Sequence, residues 1–377
     1  MKTDHDALRE TVRGFTEREI VPHLDEWESS GDVPRDLHRA AAKLGLIGIG
    51  FPEDVGGSGG DLTDVVAATE AFCESGASSG LLAALFTSGI AVPHMAAAGS
   101  PELVDRFVRP TLAGDLVGAL AVTEPDGGSD VASIRTRARR DGDHYIVNGA
   151  KTFITSGARA DFVTTAVRTG EPGHAGISLL VVEKGTPGFT VVRRLDKMGW
   201  HCSDTAELSY TDVRVPAANL VGEENSGFRL LMEQFVAERI SLAVHAYGIA
   251  QRCLDLTHDY VRMRETFGRP LVSRQVVRHQ LTEMYRRIDV ARTYTREVAG
   301  RHAAGEPQVA QACLAKNTAV EACDYVVHRA VQLQGGAGYL RDSEVERHYR
   351  DARILGIGGG ATEVLTDLAA RILGYDS

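Results

Sequence analysis

The sequence contains little cysteine and no long apolar run. The five cysteines are odd in number, widely scattered and never paired as CxxC: Cys73, Cys202, Cys253, Cys313 and Cys323. This pattern indicates neither a disulfide framework nor a zinc site, so we expect reduced thiols and no metal. No run of about 18 apolar residues occurs, and the polar start at residues 1–5 has no apolar core behind it. We therefore expect a cytoplasmic protein that does not span a membrane.

Basic residues are also fewer than acidic residues. Lysine and arginine number 41 against 51 acidic residues, which gives a net charge of −10 and a pI of about 5.7. This balance argues against nucleic acid as the main partner. The 377 residues, 43% of them hydrophobic, are enough for two or three globular domains.

A nucleotide-binding motif near the C-terminus lacks the context that would make it meaningful. Residues 356–361 fit the pattern G-x-G-x-x-A. That pattern needs a βαβ unit and an acidic residue about 20 positions later. Only residues 362–377 follow, so a second strand has no room, and no Gly-Lys-Ser/Thr indicates a P-loop. These glycines need another explanation.

Changes in the residue pattern along the chain predict an α+β protein in three parts. Residues 1–116 show helical periodicity, and residues 117–222 are short β-branched runs that predict an antiparallel β-barrel or sandwich, with a hairpin at Asp141-Gly142. Residues 223–377 predict a four-helix-bundle domain. Its long helices are expected at 228–254, 275–303 and 308–334.

One carboxylate stands in an apolar helix stripe. At 100° per residue, Glu238 lies in a narrow row with apolar side chains at 231, 235, 242 and 249. Burial raises the pKa of a carboxyl group, which suits a general base that works near neutral pH. A structural ion pair with the adjacent Arg239 explains the position equally well.

Three further segments are candidate ligand sites. The turn that carries Thr123, Ser129 and Asp130 could bind a phosphate-bearing ligand, although a plain β-turn is favoured by composition. Arg262, Arg264 and Arg269 could bind an anion, but a solvated helix end is the simpler interpretation. Gly335 and Gly336 permit close backbone approach, and ordinary helix capping explains them equally well.

Taken together, six segments resemble the acyl-CoA dehydrogenase flavoprotein family over essentially the whole chain. In order they are AVTEPDGGSD, KTFITSG, KMGWHCSDTAEL, RETFGRP, QLQGGAGY and RDARILGIGGGATEV. The resemblance implies the family's helical–β–helical fold, FAD as cofactor and an oligomer, usually a homotetramer. Implied partners are an acyl-CoA thioester and an electron-transferring flavoprotein.

The resemblance also implies residue roles. Leu120, Val122, Thr123, Gly128 and Ser129 would hold the flavin, with Phe153, Ile154 and Thr155 beside its ring. The diphosphate and adenosine, from the neighbouring subunit's FAD, would meet Arg264, Thr266, Gln275, Gln332, Gly335 and Gly336. Thr362 and Glu363 would lie on the cofactor side. Ser129, Arg239 and Gly359 would contact the thioester.

The family's usual base is missing. Many members carry Tyr-Glu-Gly-Thr where this chain has residues 358–361, Gly-Gly-Gly-Ala. Long-chain and isovaleryl-type members place the base directly before an arginine on the first long C-terminal helix, which here is Glu238-Arg239. The resemblance therefore favours Glu238 as the residue that removes the α-proton, with the β-hydrogen leaving as hydride to flavin N5.

Other functions remain open at this stage. The thioester could be carried by an acyl-carrier protein rather than CoA. The fold also hosts flavin monooxygenases, which lack the family's base. The glycine at position 359 is consistent with a monooxygenase, whereas Glu238 argues against one. An FAD-free scaffold is the third possibility.

Overall fold

The computed structural model describes residues 5–375. The N-terminal part is helical up to residue 112. Its α-helices are α1 His5–Phe15, α2 Leu24–Ser30, α3 Arg35–Lys43, α4 Leu62–Glu74, α5 Ser79–Leu85, α6 Ser88–Ala91, α7 Pro93–Ala98, α8 Pro101–Leu103 and α9 Arg109–Leu112. The loop before α4 ends at Asp61, which is the N-cap. Asp64, three residues further on, completes the capping box from inside the helix.

The middle part is one open sheet. Its strands are β1 Gly118–Ala121, β2 Arg137–Asp141, β3 His144–Thr155, β4 Phe162–Arg168, β5 Ile177–Glu183, β6 Phe189–Arg194, β7 Thr205–Pro216 and β8 Leu220–Val221. They pair in the order β6-β7-β3-β2-β4-β5-β8, with β1 beside β4. The predicted hairpin is confirmed, because Asp141 pairs with His144 across a turn that contains Gly142.

The prediction of a closed antiparallel barrel is wrong. The two end strands, β6 and β8, do not pair with each other, and β8 is only two residues long. β1 runs parallel to β4, and β2 meets β4 in parallel at a single pair, Arg137 and Arg168. The β2–β3 hairpin lies within the long connection between β1 and β4, and a parallel pair requires such a connection. Local sequence patterns do not report this pairing.

The C-terminal part is a set of packed helices. They are α10 Gly227–Met263, α11 Gln275–Ala303, α12 Val309–Gln334, α13 Glu344–Ala352 and α14 Thr362–Ile372, with a small hairpin, β9 Glu265–Thr266 and β10 Arg269–Pro270, after α10. α10, α11 and α12 pack against one another, α14 packs on α12, and α4 joins the group by packing on α10 and α11. Among residues 5–375, no helix is both long enough and apolar enough to cross a bilayer.

Candidate active site

A corner of four residues joins the last two helices. After α13 and a 3-10 turn, residues 358–361 lead into α14. Gly359 has a φ of +64° and Gly360 a φ of +103°, both in a region that side chains with a Cβ rarely adopt. We call residues 358–361 the glycine corner. Its backbone explains why glycine is needed at two of the four positions.

The missing side chain at Gly359 faces Glu238. A Cβ built on Gly359 would lie 3.5 Å from Glu238 Oε1 and would overlap Leu242 Cδ1, one turn further along α10. The carboxylate of α10 therefore reaches the space that a side chain on the corner would enter. Two elements far apart in sequence converge on one point.

The surroundings of Glu238 favour its neutral form. Leu231 and Ile249 of its stripe are fully buried, and Phe235 and Leu242 are half-buried. Glu238 itself keeps some accessible surface, yet burial raises the pKa of its carboxyl group, while Arg239 and Lys316 act in the opposite direction. A carboxyl group tuned in this way can accept a proton near neutral pH.

Arg239 points into the protein interior. It is only 6% exposed, and its guanidinium lies 5.7 Å from the Phe235 ring centroid. Its Nε atom is buried with no hydrogen-bond partner among the described residues. A buried donor without a protein partner can be satisfied by water or by a ligand group.

A second cluster forms at the end of β1. Lys151 on β3 is fully buried and donates hydrogen bonds to Val122 O at 2.8 Å and Glu124 Oε1 at 2.9 Å. The backbone N–H of Thr152 donates to Thr123 O at 3.0 Å. These bonds fix the Val122–Glu124 segment, which follows Leu120, against β3. Gly128 and Ser129 continue from it as an exposed turn.

Sequence reasoning missed the Lys151–Glu124 pair. Burial lowers the pKa of Lys151 to about 8, against the opposing effect of Glu124. Glu124 also accepts the backbone N–H groups of Arg135 and Thr136, so its carboxylate is fully engaged. The signal was available: a lysine inside a β-branched strand needs a partner when it points inward.

The backbone of Phe153 has an unusual conformation at this same cluster. It sits at a bulge in β3, has a φ of +59° and is 67% exposed. A bulky residue with positive φ is strained, and such strain concentrates at functional sites. The following Ile154 is buried and Thr155 half-buried. The structure thus brings the predicted flavin residues of β1, its following loop and β3 together.

The remaining predicted cofactor residues lie mostly on the outer surface of the C-terminal helices. Arg264, Gln275, Gln332, Gly335 and Gly336 are exposed, and Thr266 is half-buried. A Cβ at either glycine would meet nothing within 4 Å, so both backbones are open to close approach by a ligand.

Beside them, the β9–β10 hairpin presents Phe267 at 96% exposure with a φ of +51°. Arg274 lies 5.5 Å from its ring centroid and donates to Thr266 O. An open cradle of this kind suits a ligand reached from outside the chain.

The start of α14 completes the corner. Asn317 of α12 donates to Thr362 O and to Thr366 Oγ1, each at 3.0 Å. Glu363 follows in the first turn of α14 with its side chain exposed.

Comparison with known proteins identifies the family to which the chain is similar. Three family models match it: acyl-CoA dehydrogenase, N-terminal domain over residues 2–115, middle domain over 119–213 and C-terminal domain over 225–374. The long-chain specific acyl-CoA dehydrogenase of Rattus norvegicus mitochondria is 39% identical, over 100% of this chain and 87% of that protein.

Solved structures agree. A candidate acyl-CoA dehydrogenase from Mycobacterium smegmatis is 63% identical with a TM-score of 0.99, over 100% of this chain and 99% of that one. PigA, solved with FAD and proline, is 25% identical with a TM-score of 0.96, over 100% of this chain and 99% of that one. The chain belongs to the acyl-CoA dehydrogenase family and is an oxidoreductase.

Proposed function

We propose that the chain dehydrogenates an acyl-CoA thioester between its α and β carbons, with Glu238 as the base. The observation that carries this proposal is the 3.5 Å between Glu238 Oε1 and the position of a Cβ on Gly359. The carboxylate on α10 thereby reaches the space that a side chain on the corner would enter in relatives that carry Tyr-Glu-Gly-Thr.

FAD is the cofactor of this chain, and the residues present fit it. The strained, exposed Phe153 and the fixed Thr123 loop provide a surface for the flavin, together with Leu120, Val122, Gly128, Ser129, Ile154 and Thr155. The open backbones of Gly335 and Gly336, with Arg264, Thr266, Gln275 and Gln332, would hold the phosphates and adenosine of a partner subunit's FAD. Thr362 and Glu363 would line its near side. When bound, the flavin supplies a hydride acceptor for the β-hydrogen.

Glu238 carries out the proton step. Its raised pKa lets the carboxylate take the α-proton without being too weak a base. The half-buried Phe235 and Leu242 beside it exclude water once an acyl chain is bound. Because charge develops on the thioester oxygen, the backbone N–H of Gly359 is proposed to donate to it, with Ser129 and Arg239 contacting the substrate.

Assembly and electron transfer follow from the same proposal. A cofactor site divided between the β1–β3 cluster and the outer face of α10–α12 would need a second copy, and the family resemblance leads us to propose a homotetramer. Reduced flavin is proposed to pass its electrons to an electron-transferring flavoprotein.

The test is anaerobic flavin bleaching with butyryl-, octanoyl-, palmitoyl- and isovaleryl-CoA. We expect wild-type protein to bleach with at least one of them. Glu238→Gln should retain FAD and slow bleaching by about 100- to 10,000-fold, the scale for losing a positioned acid or base. Glu233→Gln, on the same helix but exposed and paired with Arg229, is the matched control and should bleach like wild type. Normal bleaching by Glu238→Gln would refute the assignment.

Two companion assays, one with carrier-bound thioesters and one in the presence of oxygen, separate the other functions. Bleaching with acyl-carrier-protein thioesters but with none of the CoA esters would move the substrate to the carrier-bound class. Oxygen consumption coupled to substrate, with no transfer to a dye acceptor, would indicate a monooxygenase.

A further inference from the structure

A second buried charge reaches the glycine corner, from α12. Lys316 of α12 is fully buried, in a row with Ala312, Val320 and Cys323, which are buried too. Its Nζ atom donates a hydrogen bond to Gly360 O at 2.9 Å. An aliphatic side chain would fill this position without the cost of taking an ammonium group out of water. A lysine here therefore needs a reason beyond packing.

The next residue on α12 provides an informative comparison. Asn317 anchors the far end of the corner through Thr362 O and Thr366 Oγ1. Lys316 and Asn317 thus hold the same short segment from the same helix. Only Lys316 adds a charge.

That charge acts on Glu238. Lys316 favours the ionised form of the Glu238 carboxyl group, and Glu238 in turn favours the protonated form of Lys316. Burial lowers the pKa of Lys316 to about 8, so the ammonium form still prevails at neutral pH. The other ionisable neighbours are Arg239, which faces both groups, and Cys313, which faces Lys316. Residues 356–361 carry no ionisable side chain.

We propose that Lys316 is a positioning residue for the proton step: its ammonium group holds the glycine corner by the Gly360 carbonyl and keeps a positive charge close to the Glu238 carboxylate. This inference rests on the proposed role of Glu238. When a thioester and the flavin fill the remaining space, the carboxylate loses water, and a nearby cation becomes its main means of staying ionised. Lys316, together with Arg239, then sets the pH at which the base becomes available.

The experiment is the pH dependence of anaerobic flavin bleaching by the holoenzyme. The probe is whichever of the four CoA esters above bleaches wild type fastest. Lys316→Met keeps an unbranched side chain one atom shorter and removes the charge. We expect the acidic limb of its profile to move up by about one pH unit, so that bleaching below the limb slows about tenfold. Above the limb the rate should return to within about threefold of wild type.

Two variants separate charge from anchoring. Asn317→Ala removes an anchor and no charge, so any loss of rate should be equal at all pH values and its limb should stay in place. Lys316→Arg keeps the charge, so its limb should lie at or below that of wild type. If Lys316→Met does not fold, the arginine variant carries the test alone.

The outcomes distinguish the two levels of the proposal. A limb that does not move in folded, FAD-bound Lys316→Met, or that rises in Lys316→Arg, overturns the role of Lys316 while leaving Glu238 as the base. Bleaching that survives in Glu238→Gln overturns the proposed function itself.

Discussion

The space at the glycine corner can be tested by filling it with one methyl group. Gly359→Ala forces a Cβ into a φ of +64° and into overlap with Leu242 Cδ1. The backbone term costs about 1–2 kcal/mol, and overpacking in a close-packed region adds about 1–3 kcal/mol. We take about 3 kcal/mol in total. At roughly 2 °C per kcal/mol for a chain of this size, the melting temperature of the holoenzyme should fall by about 6 °C.

A double-mutant cycle isolates the contact with Leu242. Leu242→Ala removes the overlapping atom and leaves the φ strain in place. In the double variant, Gly359→Ala should therefore cost about half of what it costs alone. Gly358→Ala is the matched control: its φ is not positive, and a Cβ there would make only an ordinary contact, 3.6 Å from Ile354 O. It should shift the melting temperature by less than about 2 °C. Equal shifts for the two glycines, or strict additivity with Leu242→Ala, would refute the geometry.

Two further predictions concern buried charges. Lys151→Met removes the cation that pairs with Glu124 and the donor to Val122 O, so it should destabilise the protein by about 3 kcal/mol. It should also reduce FAD content, measured as flavin absorbance per chain. Lys184 is exposed on the same domain, and Lys184→Met should change neither the stability nor the FAD content. Burial raises the folded-state pKa of Glu238 above its unfolded value, so the ionised group destabilises the fold. This penalty is full above the folded pKa and disappears as the pH falls to the unfolded one. Glu238→Gln should accordingly raise the melting temperature at pH 8 and lose that advantage at pH 4; a gain that persists at pH 4 would contradict the sign.

The sequence predicted those features that repeat locally. Helical periodicity gave α11 at its observed bounds of Gln275–Ala303. It ended α10 nine residues early, at Leu254 instead of Met263, because only Thr257 and Val261 of the last nine residues are buried. The three-part order of helices, strands and helices is confirmed. The closed barrel is wrong because the parallel pairing of β1 with β4 joins segments about 40 residues apart, and no local pattern encodes it.

In the candidate site, too, local features could be predicted from the sequence and long-range ones could not. Glu238 was found as a charge in an apolar stripe, and the test applied to α12 would have found Lys316, which shares a row with Ala312 and Val320. What no stripe reveals is that both rows meet at one corner. That meeting depends on α14 returning across α12, and on the backbone of Gly359 leaving room for a carboxylate from α10.

The glycine corner therefore has a role that its composition alone conceals. A base on the corner would be carried by the strained turn itself, whereas a base on α10 is carried by a helix of 37 residues packed on both sides. Rigid elements hold a reacting group more firmly than loops do. Moving the carboxylate to α10 also leaves the corner free to contribute backbone groups only, while Lys316 and Asn317 fix it from α12. The absence of side chains at residues 358–360 and the presence of a charge at residue 238 are thus two parts of a single arrangement, and a change in either one should be felt at the other.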